Sequence, residues 1–224
     1  MKNMKRFALV VAITLLLGCA IGGTLAWLTD STETVTNTFT SSDVDIELKE
    51  HTYDPTSNSL TSTETNKGVD NYKMVPGITL PKDPKVTVMA GSEDCYVFVE
   101  VTPSNNYSTY FDAYVIDSAY WTPLGNTYPN VYYKEVTGLT AEGATNLELP
   151  ILTNNAVVVK GSIGKTEMAL IDGKDADGNA DNDELANRPT LTFKAYAIQK
   201  NHLKDGNNAV TTAEGAWKLV KPAN

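Results

Sequence analysis

The pattern that most limits what this chain can fold into is alternation with a period of two. Val44, Ile46 and Leu48 fall on one side of an extended backbone, and Asp45, Glu47 and Lys49 fall on the other. A strand with one buried and one wet face has this pattern. Val86 and Val88 alternate with Lys85 and Thr87 in the same way. From Cys95 to Thr102 both faces are apolar until Glu100, which predicts a central strand covered from both sides. Val131 to Val136, Ala156 to Lys160 and Leu191 to Gln199 are rich in Val, Tyr, Phe and Ile and predict further strands. Many strands separated by turn residues predict an all-β chain, an antiparallel jelly-roll-like β-sandwich with short helices and long loops.

Helix signals are sparse. Ser108 to Ser118 is Tyr-rich and suits a short helix, and Ile163 to Ile171 suits another with Met168, Leu170 and Ile171 facing inward. Tyr53 to Asn71 and the acidic stretch Asp172 to Asn187 read as surface loops. Pro76, Pro81 and Pro84 have no N–H to give a ladder, so Lys73 to Pro84 is expected to be a connection or an edge.

The first residues read as an export signal. Lys2, Lys5 and Arg6 precede an apolar run from Phe7 to Cys19, which is shorter than the roughly twenty residues of a spanning helix. Thr24-Leu25-Ala26 offers small residues at the positions a signal peptidase reads, so cleavage is expected after Ala26. Leu16-Leu17-Gly18-Cys19 also fits a loose lipobox, and lipidation at Cys19 stays open as an alternative. The expected organisation is a helical signal peptide over 1–26, an extended segment over 27–40 and one sandwich domain over 41–224. No apolar tail or sorting motif is seen before Asn224, so attachment to a surface is expected to come from assembly or partners.

Charge narrows the partners. The whole chain carries a formal charge of -9, and removing a leader with three basic residues and no acidic one leaves the remainder still more acidic. Such a surface repels nucleic acid and anionic lipid. After cleavage only Cys95 remains, within an apolar run, so it is expected as a buried small hydrophobe with no disulfide partner.

Several stretches in order resemble the TasA/camelysin family of exported Gram-positive proteins. They are Thr24-Leu25-Ala26-Trp27-Leu28-Thr29-Asp30-Ser31, Thr36-Asn37-Thr38-Phe39-Thr40, Met74-Val75-Pro76-Gly77 with Pro81 to Val88, Trp121 to Gly125 with Val131 to Lys134, and Ala195 to Gln199. The resemblance implies a jelly-roll body, processing by a SipW-type signal peptidase and a structural role in biofilm-matrix fibres. It also implies joining of subunits head to tail by donated N-terminal strands, alone or with a companion matrix protein.

The resemblance also implies a less favoured alternative, a camelysin-type metallopeptidase, which would need a zinc site. Zinc peptidases gather two or three imidazoles and carboxylates, commonly as His-Glu-x-x-His. This chain has only His51 and His202, far apart and without a ligand at helical spacing, and both are expected to be solvated. Gly-x-Ser-x-Gly elbows and phosphate-cradling glycine loops are absent as well, so no enzymatic activity is expected. One constellation suits a metal: Asp175, Asp177, Asn179, Asp181 and Asp183 supply hard oxygens at alternate positions, as a Ca²⁺ loop does. The EF-hand register fails at Ala180 and Ala186, and a plain solvated acidic loop remains the other reading.

The segment Trp27 to Thr40 is Thr-rich, free of Pro and Gly, and suited to extended structure. As a donor strand it would offer Leu28, Val35 and Phe39 to an acceptor edge. The rival is a monomeric secreted adhesin or binding module using the aromatic residues between Tyr107 and Tyr133, with Trp121 as the interface candidate.

Overall fold

The computed structural model describes residues 29–31, 44–69, 72–171 and 188–221. In chain order its strands are β1 (Thr29–Ser31), β2 (Ile46–Asp54), β3 (Ser59–Thr65), β4 (Thr79–Pro81), β5 (Lys85–Val88), β6 (Cys95–Pro103), β7 (Thr122–Pro123), β8 (Val131–Val136), β9 (Leu147–Pro150), β10 (Ala156–Val158), β11 (Leu191–Gln199), β12 (Lys204–Asp205) and β13 (Asn208–Ala209). Among the described residues the α-helices are short: α1 (Tyr107–Tyr110), α2 (Lys165–Ile171) and α3 (Ala213–Val220), the last of them following β13. One sheet has the order β1-β11-β6-β8-β7 and the other β3-β2-β5-β9, and every pairing in both is antiparallel. The chain passes between sheets after β5, after β8 and again before β11, as in a jelly-roll-like sandwich.

Alternation sets the faces. Val44, just before β2, joins Ile46, Val86, Val88 and Leu149 of one sheet against Cys95, Val97, Val99, Val101, Ala195 and Ala197 of the other in the inter-sheet core. The other face of β6 is buried too: Tyr96 and Phe98 lie with Tyr196 and Ile198 under α3, where Trp217 sits 5.3 Å from the Phe98 ring and 5.2 Å from that of Tyr196. β6 is therefore sealed on both sides, as its unbroken apolar run requires. A third cluster, including Tyr53, Leu80, Tyr107, Tyr110, Phe111 and Leu152, closes one end beside the small ribbon that β4 forms with β10. Pro76 and Gly77 turn the chain into β4. Gly77 at φ 80° and the Ile78 N–H donating to the Val75 carbonyl at 3.0 Å make a turn that needs glycine at its third position.

Three expectations are corrected. Tyr53 to Asn71 is not a plain loop, because β3 pairs back on β2 and Tyr53 is buried. Alternating Thr61, Thr63 and Thr65 favour a strand, and Asp54 accepting from the Thr56 N–H at 2.9 Å shapes the turn before it. Between Ser108 and Ser118 the helix is the single turn of α1, after which Phe111 and Ile116 bridge to Val159 and Leu152 in extended form. The Tyr and Val there serve the strand-like stretch better than a helix. Finally, α3 forms where no helix was expected: the Thr212 hydroxyl accepts from the Gly215 N–H at 3.1 Å as an N-cap, and Ala216 and Trp217 bury the apolar stripe. Among the described residues, no helix is long and apolar enough to cross a membrane.

Candidate assembly interface

Strand ends and sheet margins decide how such a sandwich can meet another chain. Two margins are blunted. β7 has only two residues, one of them Pro123, and β9 ends in Pro150, whose carbonyl accepts the Trp121 indole N–H at 2.8 Å. Proline within or beside an edge withholds a donor from an incoming strand. β3 presents the third margin with mostly exposed Ser, Thr and Glu side chains, and the Thr63 N–H is taken by the Thr61 hydroxyl at 3.1 Å. The fourth margin is the edge of β11. There β1 pairs antiparallel, with Thr29 opposite Ile198, Asp30 opposite Ala197 and Ser31 opposite Tyr196. The N-terminal segment thus meets its own sheet through three described residues.

Beside that margin, Leu191, Thr192 and Phe193 of β11 and Leu48 of β2 line a cleft of about 230 Å³. Its wall holds a buried ion pair: Lys82 Nζ lies 2.6 Å from Glu50 Oε2, and the two side chains are 10 % and 9 % exposed. The ammonium also sits over the rings of Tyr72 and Phe193, at 5.4 and 5.6 Å. Burial, followed by the charges of Glu50 and Asp83, holds the Tyr72 hydroxyl far above its ordinary range, so it stays protonated. Lys49 and Lys67 also line the cleft, and the Lys49 ammonium is paired with Glu47 at 2.6 Å.

Nothing local in the sequence joins Glu50 to Lys82, although half of the pair carries a signal. The alternation that turns Val44, Ile46 and Leu48 inward turns Glu50 inward as well. A carboxylate at such a position needs a cation, and Lys82 is the cation supplied.

The histidines differ from each other. His202 is exposed in a turn at φ 63°. His51, expected to be solvated, is instead partly buried within β2. Its Nδ1 lies 2.7 Å from Asp83 Oδ2, its backbone N–H donates to Asp83 Oδ1 at 3.0 Å, and Glu64 stands 3.9 Å from Nε2. Antiparallel pairing of β2 with β3 brings Glu64 there, a neighbour that local spacing cannot reveal. Lys85 then bridges Glu64 and Glu148 at 2.9 Å each, and its ammonium is the main reason the Glu64 carboxyl titrates below the usual range. Among the described residues, no group of three or more His, Cys, Asp or Glu is placed to hold a metal ion.

Trp121 is a correction. It is 2 % exposed and belongs to the inter-sheet core, so it offers no surface to a ligand. Its indole fills space between the sheets and finds its polar partner on β9. Ala26, Leu28, Val35, Phe39 and Cys19 lie outside the described residues, as does the acidic set Asp175, Asp177, Asn179, Asp181 and Asp183.

Cys95 is fully buried, and burial first, then the charge of Asp94, pushes its thiol up to about 12. A maleimide at pH 8 is therefore expected to leave native protein unlabelled at Cys95 and to label it on unfolding, as read by mass spectrometry. Rapid labelling of the native form would contradict this burial.

No family model matches the chain, and no curated protein or solved structure matches it either.

Proposed function

We propose that this chain is a secreted structural protein, similar in role to TasA-type subunits, that builds extracellular matrix fibres by passing its N-terminal strand to the next subunit. The observation that carries the reading is β1, a strand of three residues laid on the margin of β11. Each backbone hydrogen bond in such a ladder contributes about 1 kcal/mol net, so so short a pairing is weakly held. A second copy's strand in the same place makes the same bonds, and exchange between copies therefore costs little. Donor and acceptor surfaces differ, so the contact repeats in one direction and grows an open filament instead of closing a dimer.

Twelve residues separate Ser31 from Val44, which gives the donor strand reach away from its own body. Cleavage after Ala26 by a SipW-type peptidase would free that strand and start assembly outside the cell. A companion matrix protein could join through the same margin. The blunted β7 and β9 margins favour growth through β11 over sideways pairing.

The test compares two forms by electron microscopy and sedimentation: the chain from Trp27 and the chain from Ser41. The longer form is expected to make filaments and the shorter to stay monomeric and folded, since all three apolar clusters lie within residues 44–221. Phe39→Asp should impair assembly and leave the monomer folded. Equal polymerisation of the two forms would overturn the reading.

A further inference from the structure

Resting on the strand-exchange reading, we propose that helix α3 is a latch on the β11 margin. It holds Tyr196 and Ile198, which stand opposite Ser31 and Thr29 in the β1 pairing, and its opening sets how readily β1 leaves the sheet.

Where β1 pairs, β11 is held from two sides. Ala197 is buried in the inter-sheet core with Cys95, Val97 and Val99, while Tyr196 and Ile198 are buried on the opposite face beneath α3. The Trp217 ring stands at 86° to that of Tyr196, with centroids 5.2 Å apart, and lies 5.3 Å from that of Phe98. The Tyr196 hydroxyl donates to Glu100 Oε2 at 3.1 Å. Lys221, one residue past the helix, closes the cluster: its Nζ lies 2.5 and 2.6 Å from the two Glu100 carboxylate oxygens, and 5.7 and 6.0 Å from the Trp217 and Tyr196 rings. The end of the helix, β6 and the accepting stretch of β11 are thus joined through four side chains.

The two holds differ in strength. The inter-sheet core is built from two paired sheets, whereas α3 has eight residues with Gly215 among them, too few to persist as a helix without packing. Before it comes a hairpin of two-residue strands, β12 and β13. The Tyr96 hydroxyl donates to the Thr211 carbonyl at 3.3 Å, and the Val210 N–H donates to the Leu203 carbonyl at 2.9 Å. Gly215 lets the helix lie close against this hairpin, since a Cβ there would sit 2.8 Å from Val210 Cγ1. Hairpin and helix therefore form one small unit that opens at lower cost than the sandwich. Opening admits water to Tyr196 and Ile198 beside a ladder of three residues whose own hydrogen bonds contribute little, so β1 loosens when α3 does.

The β1 strand of a second copy makes the same contacts on the same margin. Weakening the latch affects the retained and the exchanged pairing equally, so it changes the rate of exchange and leaves the equilibrium in place.

The experiment follows hydrogen–deuterium exchange in the monomeric mature chain from Trp27 at millisecond to second times. K221Q leaves the apolar cluster intact and is expected to raise exchange about two- to fivefold over residues 213–220, and by a similar factor at 29–31 and 196–198, with the β2–β5 pairing unchanged. K221R, which keeps a cation over the rings and a fork for Glu100, should stay near wild type. W217L should raise exchange in the same three segments by about tenfold or more. Faster exchange over 213–220 with 29–31 unchanged in both variants would overturn the latch, and so would unchanged exchange over 213–220. In filament growth followed by light scattering, K221Q should shorten the lag by about two- to fivefold and keep the critical concentration within about twofold of wild type. If wild type makes no filaments, the exchange reading falls, and amide exchange alone decides whether α3 controls β1. If filaments form and K221Q grows at the wild-type rate despite faster exchange at 29–31, α3 does not govern strand release in assembly and the proposal falls.

Discussion

Trp121→Ala lowers the unfolding free energy by about 3–5 kcal/mol, the range for removing a large aromatic from a packed core. The ring is 2 % exposed among the valines that line the space between the sheets, and those neighbours belong to regular strands that cannot collapse into the hole. The substitution also removes the indole donor from the Pro150 carbonyl and so loosens the β9 margin. Urea denaturation of the mature monomer measures the effect. The same variant bears on the adhesin reading, in which Trp121 would touch a ligand and its loss would abolish binding without harming the fold. A stability change under about 1 kcal/mol, the scale of a surface substitution, together with lost adhesion, would contradict the burial described above.

Lys82→Met is expected to cost about 3–5 kcal/mol, since it strands the Glu50 carboxylate, whose side chain is only 9 % exposed, without its cation. The ammonium's contacts with the Tyr72 and Phe193 rings go with it. Replacing both partners, Lys82→Met with Glu50→Leu, should return stability to near the wild-type value or above it, because no buried charge is left unpaired. Denaturant titration of the two variants checks both outcomes. Equal losses in the single and double variants would mean that packing, and not the stranded charge, dominates at this wall.

The regular strands were legible because period-two alternation is a local signal. Val131 to Val136 and Leu191 to Gln199 match β8 and β11 end to end, and Cys95 to Thr102 falls within β6. What escaped depends on partners distant in sequence. Glu50 finds Lys82 and His51 finds Asp83 only after β2 and β5 pair, each across a separation of 32 residues. Trp121 looked like an interface residue because a tryptophan in a Tyr-rich loop carries no periodic signal of burial. β3 was hidden by small polar residues that read as a loop until pairing with β2 supplied a ladder. α3 spans only eight residues and contains Gly215, so propensity alone argued against it; its stability comes from burying Trp217 against Phe98 and Tyr196. The N-terminal segment was expected on the sheet edge of a neighbouring subunit, whereas its described residues pair with β11 of their own chain; donation to a neighbour is the step that assembly would add.

That exchange is tested most directly by solid-state NMR on fibres grown from an equal mixture of two mature populations, one labelled with ¹³C and the other with ¹⁵N. Strand donation predicts cross-peaks between Asp30 of one population and Ala197 of the other, a contact that can arise in the mixed sample only between chains. If those cross-peaks are missing from the mixed fibres while uniformly labelled fibres show the same contact, each strand has stayed on its own sheet and the fibre is held by other surfaces.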